Sequence, residues 1–209
     1  MIRNIPFGSC YVYSPAGQCA VSRRSQLLCS LLKAGDAQFL SRYAARVRHE
    51  VFDHGLFCGY FDARTLLIPV PGSRPRSPGT ASAAERLAAA LLEAGLGGLV
   101  WTGLKRVSPV RKSATAPGFT RPTAAKHYAS FTVEAFERSP QRILLVDDVV
   151  TKGRTLIAAA TRIYEAFPQA EIRAFALLRT MGMIAEVERL VDPCVGQIRW
   201  RGGDAHRCP

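Results

Sequence analysis

The sequence predicts an α/β fold with a parallel sheet flanked by helices. Two short continuous apolar runs, Thr65–Val70 and Ile143–Val146, lack the alternation of half-exposed strands, so they read as strands buried on both faces. They are interleaved with stretches of helical periodicity, the order expected of βαβ units around a parallel sheet. The 209 residues are 48% hydrophobic and 21% charged, enough for one domain with a sizeable core and unlike a disordered chain.

From the N-terminus, Ser22–Lys33 reads as a helix with Leu27, Leu28, Leu31 and Leu32 at helical spacing and Gly35 as its stop. Asp36 caps a second helix running to about Phe52, with Phe39, Leu40, Tyr43 and Val47 on one face. After the Thr65–Val70 strand, the proline- and glycine-rich segment Pro71–Gly79 breaks regular structure. The Ala- and Leu-rich stretch Ala81–Ala94 is a helix closed by Gly95, and Gly98–Thr102 is a candidate strand. Lys105–Pro122 has no period and holds three prolines, the composition of a functional lid or a disordered loop. Phe131–Val133 and Ile143–Val146 are strands, Gly153 opens a helix to about Phe167, and Glu171–Leu178 is a further strand. Ile184–Leu190 is expected to be helical, and Val195–Trp200 forms a last strand.

The chain is basic: 28 Lys plus Arg against 16 Asp plus Glu give +12, and Arg outnumbers Lys 23 to 5. The excess is concentrated. No acidic residue lies between Glu93 and Glu134, where Lys105, Arg106, Arg111, Lys112, Arg121 and Lys126 fall. Such a skew fits an anionic partner or a compositional bias, and both readings stay open. The six cysteines form no CxxC pair, so zinc-ribbon spacing is absent and reduced thiols filling core gaps are expected. No apolar run approaches the ~18 residues of a membrane span, and the first 17 residues hold no apolar signal core. A cytoplasmic location is expected.

The chemistry concentrates in Ile143-Leu-Leu-Val-Asp-Asp-Val-Val-Thr-Lys-Gly-Arg-Thr155. A buried strand ends in two carboxylates, and a turn with Thr, Gly and Thr feeds a helix. Ligands of open α/β sheets bind beyond the carboxyl ends of strands. Helix N-terminal amides favour phosphate, and Gly153 lets the backbone approach an anion closely. Thr151 and Thr155 add hydroxyl donors, and Lys152 and Arg154 add charge. Asp147 and Asp148 would repel a phosphate but accept hydrogen bonds from sugar hydroxyls. A hydroxyl-accepting edge one turn from a phosphate-donating loop describes a ribose 5-phosphate. The Walker A pattern GxxxxGK[ST] is absent.

This stretch resembles the phosphoribosyl pyrophosphate (PRPP) motif of type I phosphoribosyltransferases. The wider chain is similar to the ComF-like, competence-associated branch of that family. Tyr13-Ser-Pro-Ala-Gly17, Leu32–Asp36, Leu67-Ile-Pro-Val-Pro71 and Leu104-Lys-Arg106 carry the weaker matches. The resemblance implies a type I phosphoribosyltransferase-like fold in a single domain over 1–209. It places a helical N-terminal hood at about 1–60, a PRPP-binding core at about 61–180 and a C-terminal extension at about 181–209. It implies that Asp147 and Asp148 contact the ribose hydroxyls, and that Val149, Val150, Thr151, Lys152, Gly153, Arg154 and Thr155 form the 5-phosphate loop. Gly72, Ser73 and Arg74 are the expected pyrophosphate loop, and Lys105, Arg106, Arg111 and Lys112 a lid. Lys112–Thr115, Arg121-Pro and His127–Ser130 are candidates for the acceptor side, with His127 as readily a structural group.

The expected reaction displaces pyrophosphate from the anomeric carbon by a nitrogenous acceptor, through an oxocarbenium-like transition state. Mg2+ is expected to be held mainly through the substrate, without a dedicated protein cage. Expected partners are PRPP or a related phosphorylated ribose and an acceptor base that stays open. No membrane partner is expected, and a homodimer fits. Two alternatives stand beside the enzyme: a non-catalytic regulatory or DNA-uptake protein on the same fold, and a basic protein that binds nucleic acid.

Overall fold

The computed structural model describes residues 1–75, 79–111, 122–182 and 184–208. Strands β1 (Asn4–Tyr13), β2 (Thr65–Pro69), β3 (Leu99–Val100), β6 (Arg142–Val150), β7 (Glu171–Thr180), β8 (Val191–Arg201) and β9 (Asp204–Cys208) form one sheet in the order β3-β2-β6-β7-β1-β8-β9. The first five in that order run parallel, and β8 and β9 extend the sheet antiparallel. A small antiparallel pair, β4 (Leu104–Arg106) with β5 (Phe131–Val133), stands apart.

Helices cover both faces. Alternation along β6 divides the core: Leu144 and Val146 face α1 (Ala20–Ala34), α2 (Ala37–Phe52) and α3 (Ala83–Glu93), whereas Ile143 and Leu145 face α4 (Ala124–Ala129) and α5 (Arg154–Ala166). Local chemistry sets the helix ends. Asp36 accepts from the Phe39 amide at 2.7 Å, Gly35 closes α1 in the left-handed region, and Ser82 with Glu85 forms a capping box on α3.

The predicted α/β class with a mostly parallel sheet holds, and several expected elements change. The 1–60 stretch, expected as a helical hood, opens with β1, a ten-residue strand seated between β7 and β8. Pro6 and Gly8 hid it from pattern reading. Gly8 is there because a Cβ would meet the Phe57 ring at 2.9 Å. Ile184–Leu190 forms no helix among the described residues; the Glu186 carboxylate instead accepts from the Gln18 and Cys19 amides and the Ser22 hydroxyl, tying this segment to the start of α1. The aperiodic Lys105–Pro122 stretch begins inside β4, and α4 follows it.

The connections position the site. β2 leads through α3 to β3 at one edge, on one face of the sheet, and β6 leads through α5 to β7 in the opposite direction, on the other face. The carboxyl ends of adjacent strands β2 and β6 therefore diverge, the switch point where open α/β sheets form a crevice.

Candidate functional site

A cleft of about 480 Å³ opens at this switch point. Its floor is the end of β6 (Asp147, Asp148, Val149 and Val150), and one wall is Thr151–Leu156 at the start of α5. The loop after β2 contributes Pro71, Gly72 and Ser73. Arg106, Arg111 and His127 line the α4 side, and Tyr13, Lys33, Ser82, Ala83 and Arg86 line the α1–α3 side.

Gly153 begins the phosphate-like turn at φ +84°, the left-handed region, and a Cβ there would meet Ile198 at 2.6–2.9 Å. Only glycine meets both demands. The first α5 hydrogen bond runs from the Ile157 amide to the Gly153 carbonyl, and among the described residues no side chain caps this helix. The amides of its first turn therefore lie in the cleft wall as donors without an intrahelical acceptor.

The two aspartates sit in different surroundings. Asp147 lies toward Arg106; burial, then the neighbouring Asp148 charge, raises its pKa well above the usual carboxylate range. Asp148 lies toward α1, near Tyr13 and Cys29. Each carboxylate accepts from the next backbone amide, at 2.9 Å for Asp147 and 2.8 Å for Asp148. Neither carboxylate forms a salt bridge among the described residues, so both keep acceptor capacity for a ligand.

Arg106 has a different place from the lid cation that the sequence led one to expect. It is 6% exposed, inside β4, with its guanidinium over the Phe131 ring at 4.2 Å. It donates to the Gly72 and Pro71 carbonyls and to Ser130 Oγ, and its NH2 group lies 3.5 Å from His127 Nδ1. It is a strut that fixes the loop after β2. Burial pulls its pKa down to about 10, so it stays charged at neutral pH. The Ser73 carbonyl accepts from the Val110 amide at 2.8 Å, which anchors the same loop a second time.

His127 is 3% exposed, and its Nε2 lies 3.5 Å from Thr155 Oγ1. Burial, with Arg106 and Arg154 nearby, lowers its pKa to about 4. It is a neutral ring wedged between the two loops.

Lys152 and Arg154 line the cleft, but their charges meet a carboxylate that sequence reading missed. Asp204 on β9 holds Arg154 in a two-bonded pair (2.5 and 2.6 Å) and Lys152 at 3.3 Å. Arg154 holds the Asp204 carboxyl well below the usual range. The phosphate-like loop thus offers amides and hydroxyls, with its two cations already answered by the C-terminal hairpin.

Lys105 lies outside the cleft lining, exposed and 3.7 Å from Glu134, because it alternates outward from Leu104 and Arg106 on β4. Arg74 is exposed and also outside the lining, whereas Gly72 and Ser73 lie within it. Lys112, Thr115, Arg121 and Arg76 lie outside the described residues. Tyr13 and Lys33 lie in segments that carry the weaker matches but are not themselves marked as site residues, and Arg86 and Asp204 have no motif to mark them; each reaches its place through tertiary contact.

Among the described residues no three His, Cys, Asp or Glu side chains cluster as a metal cage, and all six cysteines are free thiols. No described helix is long and apolar enough to cross a membrane. No family model matches the chain, and no curated protein matches it.

Proposed function

We propose that the protein binds PRPP in this cleft and transfers its phosphoribosyl group to a nitrogenous acceptor, releasing pyrophosphate, as a type I phosphoribosyltransferase of the ComF-like kind. The observation that carries the reading is the juxtaposition at the end of β6. Two carboxylates that form no salt bridge among the described residues stand one turn from an uncapped helix start that only glycine can open. Carboxylates suit a sugar diol, and the amides with Thr151 and Thr155 suit a terminal phosphate.

The residues divide the work. Asp147 and Asp148 orient the ribose hydroxyls, and their negative field favours positive charge developing at the anomeric carbon. Backbone donors at 151–155 fix the phosphate end. Gly72, held by Arg106, and Ser73, held by the Val110 amide, receive the pyrophosphate end; a Cβ at Gly72 would meet nothing within 4 Å, which leaves that backbone open to a ligand. Mg2+ fits this donor set, because it is bound through one or two carboxylates plus substrate phosphates and needs no protein cage. When bound it neutralises charge on the departing pyrophosphate.

Isothermal titration of the protein with PRPP and Mg2+ tests the reading, followed by a pyrophosphate-release assay over purines, pyrimidines and simple amines. Binding with release for at least one acceptor class is expected. No binding by protein of verified fold would reject the proposal. Binding without release would favour a non-catalytic ligand sensor on the same fold.

A further inference from the structure

The cleft holds more positive charge than a phosphoribosyl pyrophosphate site, as assigned above, uses. Among the described residues six cations line it: Lys33, Arg86, Arg106, Arg111, Lys152 and Arg154. Lys152 and Arg154 are answered by Asp204. Arg106 and Arg111 belong to the wall that holds Gly72 and Ser73, the side assigned to pyrophosphate. Lys33 and Arg86 remain, on the opposite side of β6.

These two form one corner. Arg86 NH2 donates to the Lys33 carbonyl at 2.7 Å, which brings the last turn of α1 against the first turn of α3. Among the described residues the Arg86 guanidinium also donates to the Ala81 carbonyl. Neither cation has a carboxylate partner among the described residues. Tyr13, at the end of β1, completes the corner beside Cys29 and Asp148. Burial pushes its hydroxyl pKa up to about 12, so it remains a neutral donor. Two cations and a phenol in one concave wall present converging donors to an anionic group, with Asp148 on the cleft floor as the nearby acid.

We propose that Lys33, Arg86 and Tyr13 form the acceptor subsite, and that the acceptor is a nitrogen heterocycle bearing a carboxylate and not a neutral base. The inference rests on the phosphoribosyl-transfer reading. The carboxylate takes no part in bond making. The ring nitrogen's lone pair forms the bond to the anomeric carbon, the bond from that carbon to the pyrophosphate oxygen breaks, and its electron pair leaves with pyrophosphate.

The test titrates paired probes, pyridine-3-carboxylate against pyridine-3-carboxamide and a pyrimidine carboxylate against its amide, into the protein with and without PRPP and Mg2+. Each carboxylate is expected to bind about 10-fold or more tighter than its amide, as a charge-assisted contact to two cations warrants. Lys33→Met, at an exposed position, should erase that preference while PRPP affinity changes by less than about 3-fold, and Lys33→Arg should restore it. Arg86→Met, checked for fold by circular dichroism, should act like Lys33→Met. Equal binding of amides and carboxylates would overturn the inference. So would a Lys33→Met variant that keeps the preference, or one that weakens PRPP and inorganic pyrophosphate as much as the carboxylate probes, since the cations would then serve the leaving group. If PRPP fails to bind while the carboxylate preference persists without it, the transfer reading falls and the anion subsite stands.

Discussion

Two loops leave adjacent parallel strands at the same edge of the sheet and form two sides of the cleft, yet they are built in opposite ways. The turn after β6 is made by its own sequence. Gly153 takes φ +84°, the helix starts at the next residue, and the donors lie within Thr151–Leu156. The loop after β2 is held from afar: its carbonyls at Pro71 and Gly72 are bonded by Arg106, 34 residues from Gly72 in sequence, and its Ser73 carbonyl by the Val110 amide. A locally built turn is rigid because the backbone has no alternative. A tethered one is only as fixed as its tether, and it can be loosened without disturbing the strand that carries it.

That contrast can be broken or sharpened by substitution. The largest effect is expected at Gly153. Alanine there must take a left-handed φ and push against Ile198, so a loss of about 2–4 kcal/mol of stability is expected. Ribose 5-phosphate affinity should fall about 100-fold or more, some 2.7 kcal/mol. Normal affinity in titration would end the claim that the turn is locally dictated.

Asp147→Asn with Asp148→Asn should abolish detectable PRPP binding while the far-ultraviolet spectrum is retained, because both side chains are half-buried in the cleft lining and belong to neither hydrophobic cluster.

Arg106→Met comes next and separates the two loops directly. It removes donors from two carbonyls and a hydroxyl, at about 1–3 kcal/mol. Inorganic pyrophosphate with Mg2+ should bind about 10-fold more weakly, and ribose 5-phosphate should be affected much less. Equal losses for both ligands would mean that the loops are one mechanical unit.

Asp147→Asn alone is expected to stabilise the free protein. The raised pKa of Asp147 means that the folded state takes up a proton the unfolded chain has already released. Its contribution to stability is therefore fullest at acid pH and is lost as pH rises through the folded pKa. At neutral pH the Asn variant should melt ~2–4 °C higher, and the gain should vanish in acid. A lower melting temperature would show that the carboxylate is a structural necessity.

The smallest effect is expected at His127. Between its ordinary pKa of 6.5 and its folded value of about 4, the unfolded chain binds a proton that the folded chain does not. Stability therefore falls as pH drops through that window, and His127→Gln should flatten this part of the acid limb. An unchanged slope in acid denaturation would show that the ring titrates normally.

The same division governs what could be read in advance. The helix starting after Gly153, the Asp36 cap and the Gly35 stop were legible because each depends on neighbours three or four residues away. Strand β1 was not, because Pro6 and Gly8 disguise a segment whose strand identity comes from pairing with β7 and β8, more than 160 residues downstream. Ile184–Leu190 carries a helical pattern that loses to the pull of Glu186 on the start of α1. Asp204 and Lys152 are 52 residues apart, and no spacing rule links a hairpin carboxylate to a loop cation.

The sequence by itself determined the α/β class, the buried strand of β6 and the turn with two carboxylates and one indispensable glycine, since apolar runs and backbone permissiveness act over a few residues. Only the tertiary structure decided that Arg106 is a strut and not a lid, that Asp204 answers the loop's cations, and that Lys33, Arg86 and Tyr13 share a corner. Those roles depend on which distant charges meet, and how far from water, once the two faces of the sheet are covered.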